Sequence, residues 1–175
     1  MVDKQKINKY IPPLNFSPVI STEVSLYRSG YPMPINYSFI MDQLHLKTIL
    51  YVGDKNEKSK EYSKFLKEQN IRFVYIPMES CRDNGINKEI DKVLEMIVNV
   101  DNYPMLIHSN KGKHRVGIIV GIVRKILQGW SIASIYQEYG LFSGGLKDEA
   151  DLEFITMFIS HLEVYKDKMP KFVRL

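Results

Sequence analysis

The sequence predicts a single α/β domain with a mostly parallel central sheet flanked by helices. Short apolar runs alternate with segments of helical periodicity along the chain, the order that produces strand–helix–strand units. The runs at 48–52 and 105–107 are almost continuously apolar, which is typical of parallel strands covered on both faces. The 175 residues are 45% hydrophobic and 25% charged, the composition of one folded domain with a substantial core.

Strands are expected where β-branched and aromatic side chains cluster between turn residues. We assign residues 1–12 to a flexible polar leader and 13–175 to the domain, which opens with an extended segment that reaches Pro18. The predicted strands, with the residue that closes each run in parentheses, lie at 24–28 (Gly30), 48–52 (Gly53), 72–76 (Pro77) and 105–107.

Helices are expected where apolar side chains recur every three or four residues. The predicted helices span 36–45, 58–69, 88–100, 116–127, 131–139 and 148–165. Asn36 and Ser131 are candidate N-caps. The helix at 116–127 is apolar nearly all round and therefore belongs in the core, where Gly117 and Gly121 would let its neighbours approach closely.

The most informative stretch is the loop between the strand at 105–107 and the helix that begins at Val116. Its glycine and basic side chains favour a backbone that turns its N–H groups inward, and the helix start adds partial positive charge. The sequence therefore predicts a phosphate-binding loop at the carboxyl edge of the sheet, where ligands of such domains bind. The candidate phosphate-binding residues are Asn110, Lys111, Gly112, Lys113, His114, Arg115, Val116 and Gly117.

Composition and motif spacing exclude several classes of function. The net charge of +4, from 24 basic and 20 acidic residues, is too small to imply nucleic-acid binding. No apolar run approaches the roughly 20 residues that cross a bilayer, so we predict no membrane association. The lone Cys81 indicates a reducing compartment, which predicts a cytoplasmic location. The histidines lack metal-ligand spacing and the nucleotide motif G-x-x-x-x-G-K-S/T is absent, so we expect neither a metal nor another cofactor.

Residues 108–117, HSNKGKHRVG, closely resemble the signature HC-x-x-GKHRTG of the plant and fungal atypical dual-specificity phosphatases. The resemblance covers most of the chain, including 26–32, 36–39, 46–50 and 122–131, and is greatest for the fungal members grouped as oxidant-induced cell-cycle arrest proteins. It implies a tyrosine/dual-specificity-phosphatase-like domain. The best-known activity of the family removes the 5-β-phosphate from inositol pyrophosphates, and phosphoprotein substrates are also reported. The implied partners are a phosphorylated small molecule or phosphoprotein, with paralogous phosphatase subunits as a further candidate.

In the mechanism of that family, a cysteine thiolate attacks phosphorus, loop N–H groups and an arginine hold the phosphate oxygens, and an acid protonates the leaving oxygen. In this chain the arginine is Arg115, and Ser109 stands at the position of the nucleophile. The helix start and cations that lower the pKa of a cysteine do not ionise a serine hydroxyl near neutral pH. The resemblance therefore implies an intact phosphate-binding loop with little or no turnover.

Two further departures accompany the serine. Val116 stands where the family has a hydroxyl residue that can hydrogen-bond the nucleophile, and residues 79–87 do not reproduce the acidic, proline-containing loop of the family. Asp83 is the only aspartate there and is the candidate general acid, with a simple turn residue as the alternative. Ser109 is either a substituted cysteine of the kind used to trap substrate or the natural residue of a pseudophosphatase, and the added losses favour the second explanation.

Three functions remain open from the sequence. They are a non-catalytic binder of phosphate-rich ligands, a cysteine-dependent phosphatase seen as an inactive variant, and an interaction subunit whose loop is vestigial. The charge of the loop favours a highly phosphorylated small molecule over a single phosphotyrosine.

The roles of three residues near the loop also have alternatives. His114 either contacts a polyanion or holds the loop, and Arg28 either reaches the pocket or pairs with a buried carboxylate. His108 is predicted to hydrogen-bond the loop backbone.

Overall fold

The computed structural model describes residues 10–79, 86–145 and 148–175. The strands in this part are β1 (Ser17–Ser21), β2 (Ser25–Ser29), β3 (Thr48–Gly53), β4 (Arg72–Pro77) and β5 (Met105–His108). They form one sheet in the order β1-β2-β5-β3-β4, in which β1 is antiparallel to β2 and every other pairing is parallel. The predicted α/β class with a mostly parallel sheet is confirmed.

The first strand differs from the sequence-based expectation. The segment up to Pro18 was predicted to be merely extended, but Ser17–Ser21 pairs with β2, with a shift in register between Pro18 and Ile20. Proline has no N–H to donate to a neighbouring strand. An inner strand has a neighbour on each side, whereas an edge strand has only one, so Pro18 is better accommodated at the edge. The sheet therefore begins on an antiparallel edge that the apolar pattern alone did not reveal.

The described α-helices are α1 (Tyr37–Phe39), α2 (Lys60–Glu68), α3 (Asn87–Ile97), α4 (His114–Ile122), α5 (Ile132–Ser143) and α6 (Asp148–Met157). Short 3₁₀ and π-helical turns adjoin α1 at Pro34–Asn36 and Ile40–Leu44, and α4 continues as a π-helix over Val123–Leu127. Ser131 caps α5 as predicted, because its side chain accepts a hydrogen bond from the Ser134 N–H at 3.2 Å.

The predicted N-cap Asn36 has a different role. Its side chain accepts a hydrogen bond from the Met33 N–H at 2.8 Å and donates to the carbonyls of Ile11 and Pro12, each at 3.1 Å. The Asn36 amide therefore holds the preceding segment of the chain in place and does not cap α1. These two carbonyls belong to the end of the predicted leader, whose residues 1–9 lie outside the described residues.

The last helix is shorter than its periodicity predicts. The pattern indicated a helix to residue 165, but α6 ends at Met157. The Lys125 ammonium donates to the carbonyls of Ile155, Thr156 and Phe158 at 3.1, 2.6 and 2.9 Å. Since the last carbonyls of a helix have no partner within the helix, a lysine from the neighbouring element satisfies them and favours termination there.

Side chains of the inner strands alternate between two apolar layers. Leu50 and Ile107 face the larger cluster, which includes buried side chains of α3, α4, α5 and α6, whereas Ile49 and Leu106 face a smaller cluster with α2. As predicted, α4 is in the core and its glycines meet close neighbours. A Cβ on Gly117 would lie 2.9 Å from the Tyr139 ring. This packing fixes the start of α4 relative to β5.

Candidate functional site

The loop at 109–113 joins the carboxyl end of β5 to α4, the place predicted for ligand binding. Gly112 has a φ of +71°, a left-handed conformation that favours glycine. Ser109 is 4% exposed, and its Oγ accepts a hydrogen bond from the Gly112 N–H at 3.0 Å. Its own N–H donates to the Ser29 carbonyl at 3.3 Å. The hydroxyl of Ser109 therefore lies at the base of a closed turn.

Other N–H groups of the loop are available to a ligand. Within the described residues, those of Asn110, Lys111 and Lys113 donate to no protein acceptor, and the Lys111 and Lys113 ammonium groups also have no partner. Lys113 directly precedes α4, so the unpaired N–H groups of a helix start adjoin this turn. Such an arrangement can hold an anion.

Two side chains and one backbone N–H outside the loop fix its outer wall. The Tyr51 hydroxyl donates to Asn110 Oδ1 at 2.6 Å, and the Asn15 amide donates to the Lys111 carbonyl at 2.8 Å. The Tyr31 N–H donates to the Asn110 carbonyl at 3.0 Å. The sequence reasoning missed these residues. For Tyr51 a signal existed, because it lies near the carboxyl end of a predicted parallel strand.

Arg28 lies beneath the loop and is 1% exposed. Its Nη2 donates to the Gly112 carbonyl at 3.2 Å, and its guanidinium carbon lies 3.8 Å from the centre of the Phe142 ring. Burial lowers the pKa of Arg28 to about 10, so the side chain stays charged at neutral pH. Of the two predicted roles, a hydrogen-bonded pair with a buried carboxylate is absent from the described residues, and the cation instead supports the loop backbone.

Arg115 is held by two acceptors that the sequence did not predict. Its Nε donates to the Met78 carbonyl at 2.7 Å, and its Nη2 is paired with the Asp54 carboxylate. Asp54 directly follows β3, so parallel strand ends bring it to the same edge of the sheet as Arg115. Its only signal in the sequence was this position immediately after a buried strand.

The His114 side chain contacts two later helices, which favours the alternative that it holds the loop; its contact with a polyanion stays a prediction, because 45% of the side chain is exposed. Its Nδ1 lies 3.0 Å from the Tyr139 hydroxyl and 3.2 Å from Asp151 Oδ2. The Tyr139 hydroxyl also donates to Asp151. Since Tyr139 belongs to α5 and Asp151 to α6, this network ties the start of α4 to two later helices.

The prediction that His108 bonds to the loop backbone is confirmed. Its Nδ1 lies 3.3 Å from the Ser109 carbonyl oxygen and its Nε2 lies 2.9 Å from the Tyr62 hydroxyl. The ring stacks on Tyr51, with 4.7 Å between ring centres. Burial lowers the pKa of His108 to about 3, so the imidazole is neutral at physiological pH. It is a structural support for the loop.

This buried imidazole predicts a specific loss of stability in acid. In the unfolded chain the histidine has a pKa of about 6.5, whereas in the folded chain His108 is protonated only near pH 3. The contribution of the neutral His108 imidazole to the free energy of unfolding is therefore complete above about pH 6.5 and decreases as the pH falls toward about 3. Between pH 7.5 and 5.0, the unaltered chain should lose roughly 2 kcal/mol more unfolding free energy than His108→Gln, as measured by urea denaturation.

The control for this prediction is His161→Gln, which removes an exposed imidazole. It should lose as much stability between the two pH values as the unaltered chain. Equal losses in all three proteins would contradict the assignment of the acid sensitivity to His108.

The other predicted site residues fall into two groups. Val116 is fully buried in the larger core cluster and Gly117 lies close to Tyr139, so both residues contribute to the packing of α4. The candidate acid Asp83 lies outside the described residues. Its predicted role therefore remains a prediction.

A cleft of about 580 Å³ opens beside the loop. The loop contributes Asn110 to it, and the end of β3 contributes Tyr51 and Asp54. The remaining lining residues are Tyr31, Pro32, Met33, Pro34, Lys55, Glu57, Ser59 and Glu61. Its volume is in the range of small-molecule sites, and its lining combines aromatic side chains with carboxylates.

No cluster of three or more histidine, cysteine, aspartate or glutamate side chains able to hold a metal ion occurs within residues 10–79, 86–145 and 148–175. In the same part of the chain, no helix has both the length and the apolar character required to span a membrane.

Comparison with known proteins identifies consistent relatives. A model described as the tyrosine phosphatase family matches residues 10–175. The tyrosine-protein phosphatase-like protein OCA2 of Saccharomyces cerevisiae is 62% identical over 166 residues, which cover 95% of this chain and 84% of the relative. The inositol diphosphatase DSP4 of Arabidopsis thaliana is 36% identical over 160 residues, covering 88% and 77% respectively. The crystal structure of the core catalytic domain of the PP-IP phosphatase SIW14 from S. cerevisiae matches with a TM-score of 0.78 at 37% identity, over 86% of this chain and 88% of that one.

Proposed function

The chain belongs to the tyrosine phosphatase family, and we propose that it binds a phosphorylated ligand in its 108–117 loop without turning that ligand over. One observation carries the proposal: the turn and its free N–H groups are complete, while a serine hydroxyl occupies the base of the turn. The relationship to inositol diphosphatases supports a phosphorylated ligand. The earlier resemblance to phosphatases is confirmed at the level of the family.

The surroundings of Ser109 argue against its use as a nucleophile. Within the described residues, its Oγ accepts from the Gly112 N–H and no side chain stands beside it as a base. The neighbouring imidazole, His108, is directed to Tyr62 and to a backbone carbonyl. A serine requires an adjacent general base to attack near neutral pH, whereas a cysteine in the same turn would be ionised by the N–H groups themselves.

The proposal is tested by the dependence of phosphate binding on Arg115. Arg115→Ala should weaken binding of inorganic phosphate and of an inositol pyrophosphate by roughly tenfold or more, because the guanidinium supplies charge-assisted hydrogen bonds. Arg115→Lys should restore part of the affinity, since it keeps the charge but not the planar fork. Isothermal titration calorimetry at physiological salt measures the dissociation constants of the three proteins for both ligands.

The matched control is Arg174→Ala, which removes an exposed arginine at the other end of the chain and should leave both affinities unchanged. Thermal denaturation of each variant identifies any loss of folding. A folded Arg115→Ala that binds inositol pyrophosphate as tightly as the unaltered chain would disprove the phosphate-binding role.

We also propose a second role, as a subunit beside a paralogous phosphatase in the cytoplasm. An open groove of about 330 Å³ between α5 and α6 is lined partly by Tyr136, Leu152 and Met157, and Met157 is 71% exposed. Exposed apolar surface of this kind supports protein contact. Affinity purification of the tagged chain from its own cytoplasm, followed by mass spectrometry, should recover a family member. Recovery of none would contradict this role.

A further inference from the structure

The state of Arg115 restricts the ligands that the loop can accept. The Nε and Nη2 groups form the edge of a guanidinium that can grip a phosphate with two hydrogen bonds. In this structure both are occupied, by the Met78 carbonyl and by Asp54. The Asp54 side chain is 55% exposed and that of Arg115 is 24% exposed, so the pair is reachable from solvent. A phosphate that engages Arg115 through Nη2 must displace Asp54.

Displacement has different consequences for different ligands. A polyanion that takes Arg115 leaves the Asp54 carboxylate unpaired beside additional negative charge, which is unfavourable. A ligand with a cation next to its phosphate allows an exchange of partners, in which Arg115 turns to the phosphate and Asp54 to the cation. The number of ion pairs then rises from one to two, and no carboxylate is left without a partner.

The cleft beside the loop is suited to the cationic part of such a ligand. Besides Asp54, it contains Glu57 and Glu61, against the single cation Lys55, whose ammonium is 3.9 Å from Glu57. Both members of that pair are 78% exposed, so a ligand can compete for the carboxylate. Its aromatic wall, which includes Tyr31, also suits a guanidinium or ammonium.

The cations left for a polyanion are fewer than the sequence suggested. His114 is engaged by Tyr139 and Asp151, and Arg115 by Asp54. The Lys111 and Lys113 ammonium groups are the loop cations without a partner in the described residues. Two lysines, one exposed and one half-buried, suffice for one phosphate but give little discrimination in favour of a ring that carries many phosphates.

We propose that the ligand is a phosphopeptide with an arginine or lysine next to its phosphorylated residue, and that Asp54 is the residue that selects it. The proposal rests on the phosphate-binding function above and specifies its ligand class. It differs from the earlier expectation of a highly phosphorylated small molecule because the contact between Asp54 and Arg115 was not visible in the sequence.

The test compares three probes at physiological salt by fluorescence anisotropy or competition. They are a phosphotyrosine peptide with arginine on both sides of the phosphotyrosine, the same peptide with glutamate at those positions, and a diphosphoinositol polyphosphate. The unaltered chain should bind the arginine peptide roughly threefold to tenfold more tightly than the glutamate peptide. Asp54→Asn should reduce that ratio to nearly one and should tighten binding of the diphosphoinositol polyphosphate, because Arg115 is released.

Matched controls separate this inference from the function on which it rests. Glu163→Gln, which neutralises an exposed carboxylate outside the cleft, should keep the full preference for the arginine peptide. A preference that is unchanged in Asp54→Asn would overturn the role of Asp54. Tighter binding of the diphosphoinositol polyphosphate than of the arginine peptide would overturn the ligand class, while Arg115-dependent binding of it would leave the phosphate-binding function standing. Binding of every probe that is indifferent to Arg115→Ala would overturn both.

Discussion

Replacing Gly112 with alanine should abolish phosphate binding and destabilise the domain by roughly 3 kcal/mol or more. The residue has a φ of +71°, and a Cβ at this position would approach the Gly30 nitrogen and lie 2.5 Å from the Ser29 carbonyl carbon. Both neighbours are backbone atoms at the end of β2, so they cannot rotate away as a side chain would. The loop would have to move out of the sheet edge, and urea denaturation together with phosphate titration would measure both effects.

The control for this prediction is Gly129→Ala. Gly129 has a φ of +67° but nothing lies within 4 Å of its virtual Cβ, so the variant isolates the backbone penalty alone. That penalty should be about 1 kcal/mol, and phosphate binding should be unchanged. If both alanine variants lost the same stability, the close approach between the loop and β2 would not be a significant constraint.

The loop is sensitive to a substitution of Gly112 because both the N–H and the carbonyl of this residue form hydrogen bonds. Its N–H donates to Ser109 Oγ, and its carbonyl accepts from the buried Arg28. A shift of the glycine would therefore remove the bond at the base of the turn and leave a buried cation with fewer partners, which is costly. The phosphate-binding conformation and the stability of the domain are coupled at one residue.

The strands β2 to β5, most helices and the loop could be predicted because the relevant signals are local. The continuous apolar run of β3, the all-round apolar α4 and the basic glycine turn between β5 and α4 each lie within a short stretch of chain. Periodicity failed at α6, whose end depends on Lys125, a residue some 30 positions earlier in the chain. An apolar pattern contains no information about a donor that arrives from another element.

The site was predictable to the same extent and for the same reason. The loop residues are contiguous and therefore visible, but the partners that decide their state are distant in sequence. Asp54 is 61 residues from Arg115, and Asp151 is 37 residues from His114. Counting the charges of the loop without these carboxylates overestimates the cations available to a ligand. Asp54 could be predicted as a site residue only from the parallel topology, which brings the carboxyl ends of β3 and β5 to one edge of the sheet.

Ser109→Cys should give the chain phosphatase activity at least about a hundredfold above that of the unaltered protein. The Gly112 N–H that donates to the serine oxygen would donate to a thiolate at the same place, and the adjoining helix start favours negative charge. The thiol pKa should therefore fall from about 8.5 toward the 3.5–7.5 range of activated cysteines. Phosphate release from an aryl phosphate, a phosphotyrosine peptide and an inositol pyrophosphate measures the gain.

The pH dependence of that variant distinguishes a restored nucleophile from contamination or weak hydrolysis. Activity that persists below pH 7 requires a thiolate stabilised by the loop, whereas an ordinary thiol would lose activity as the pH falls through about 8.5. Ser109→Ala should bind phosphate but release none at any pH. A folded Ser109→Cys that binds phosphate without releasing it would show that the loss of function extends beyond the nucleophile, to Val116 or to residues 79–87. In that case the replacement of cysteine by serine would be one of several changes that convert a phosphatase site into a binding site.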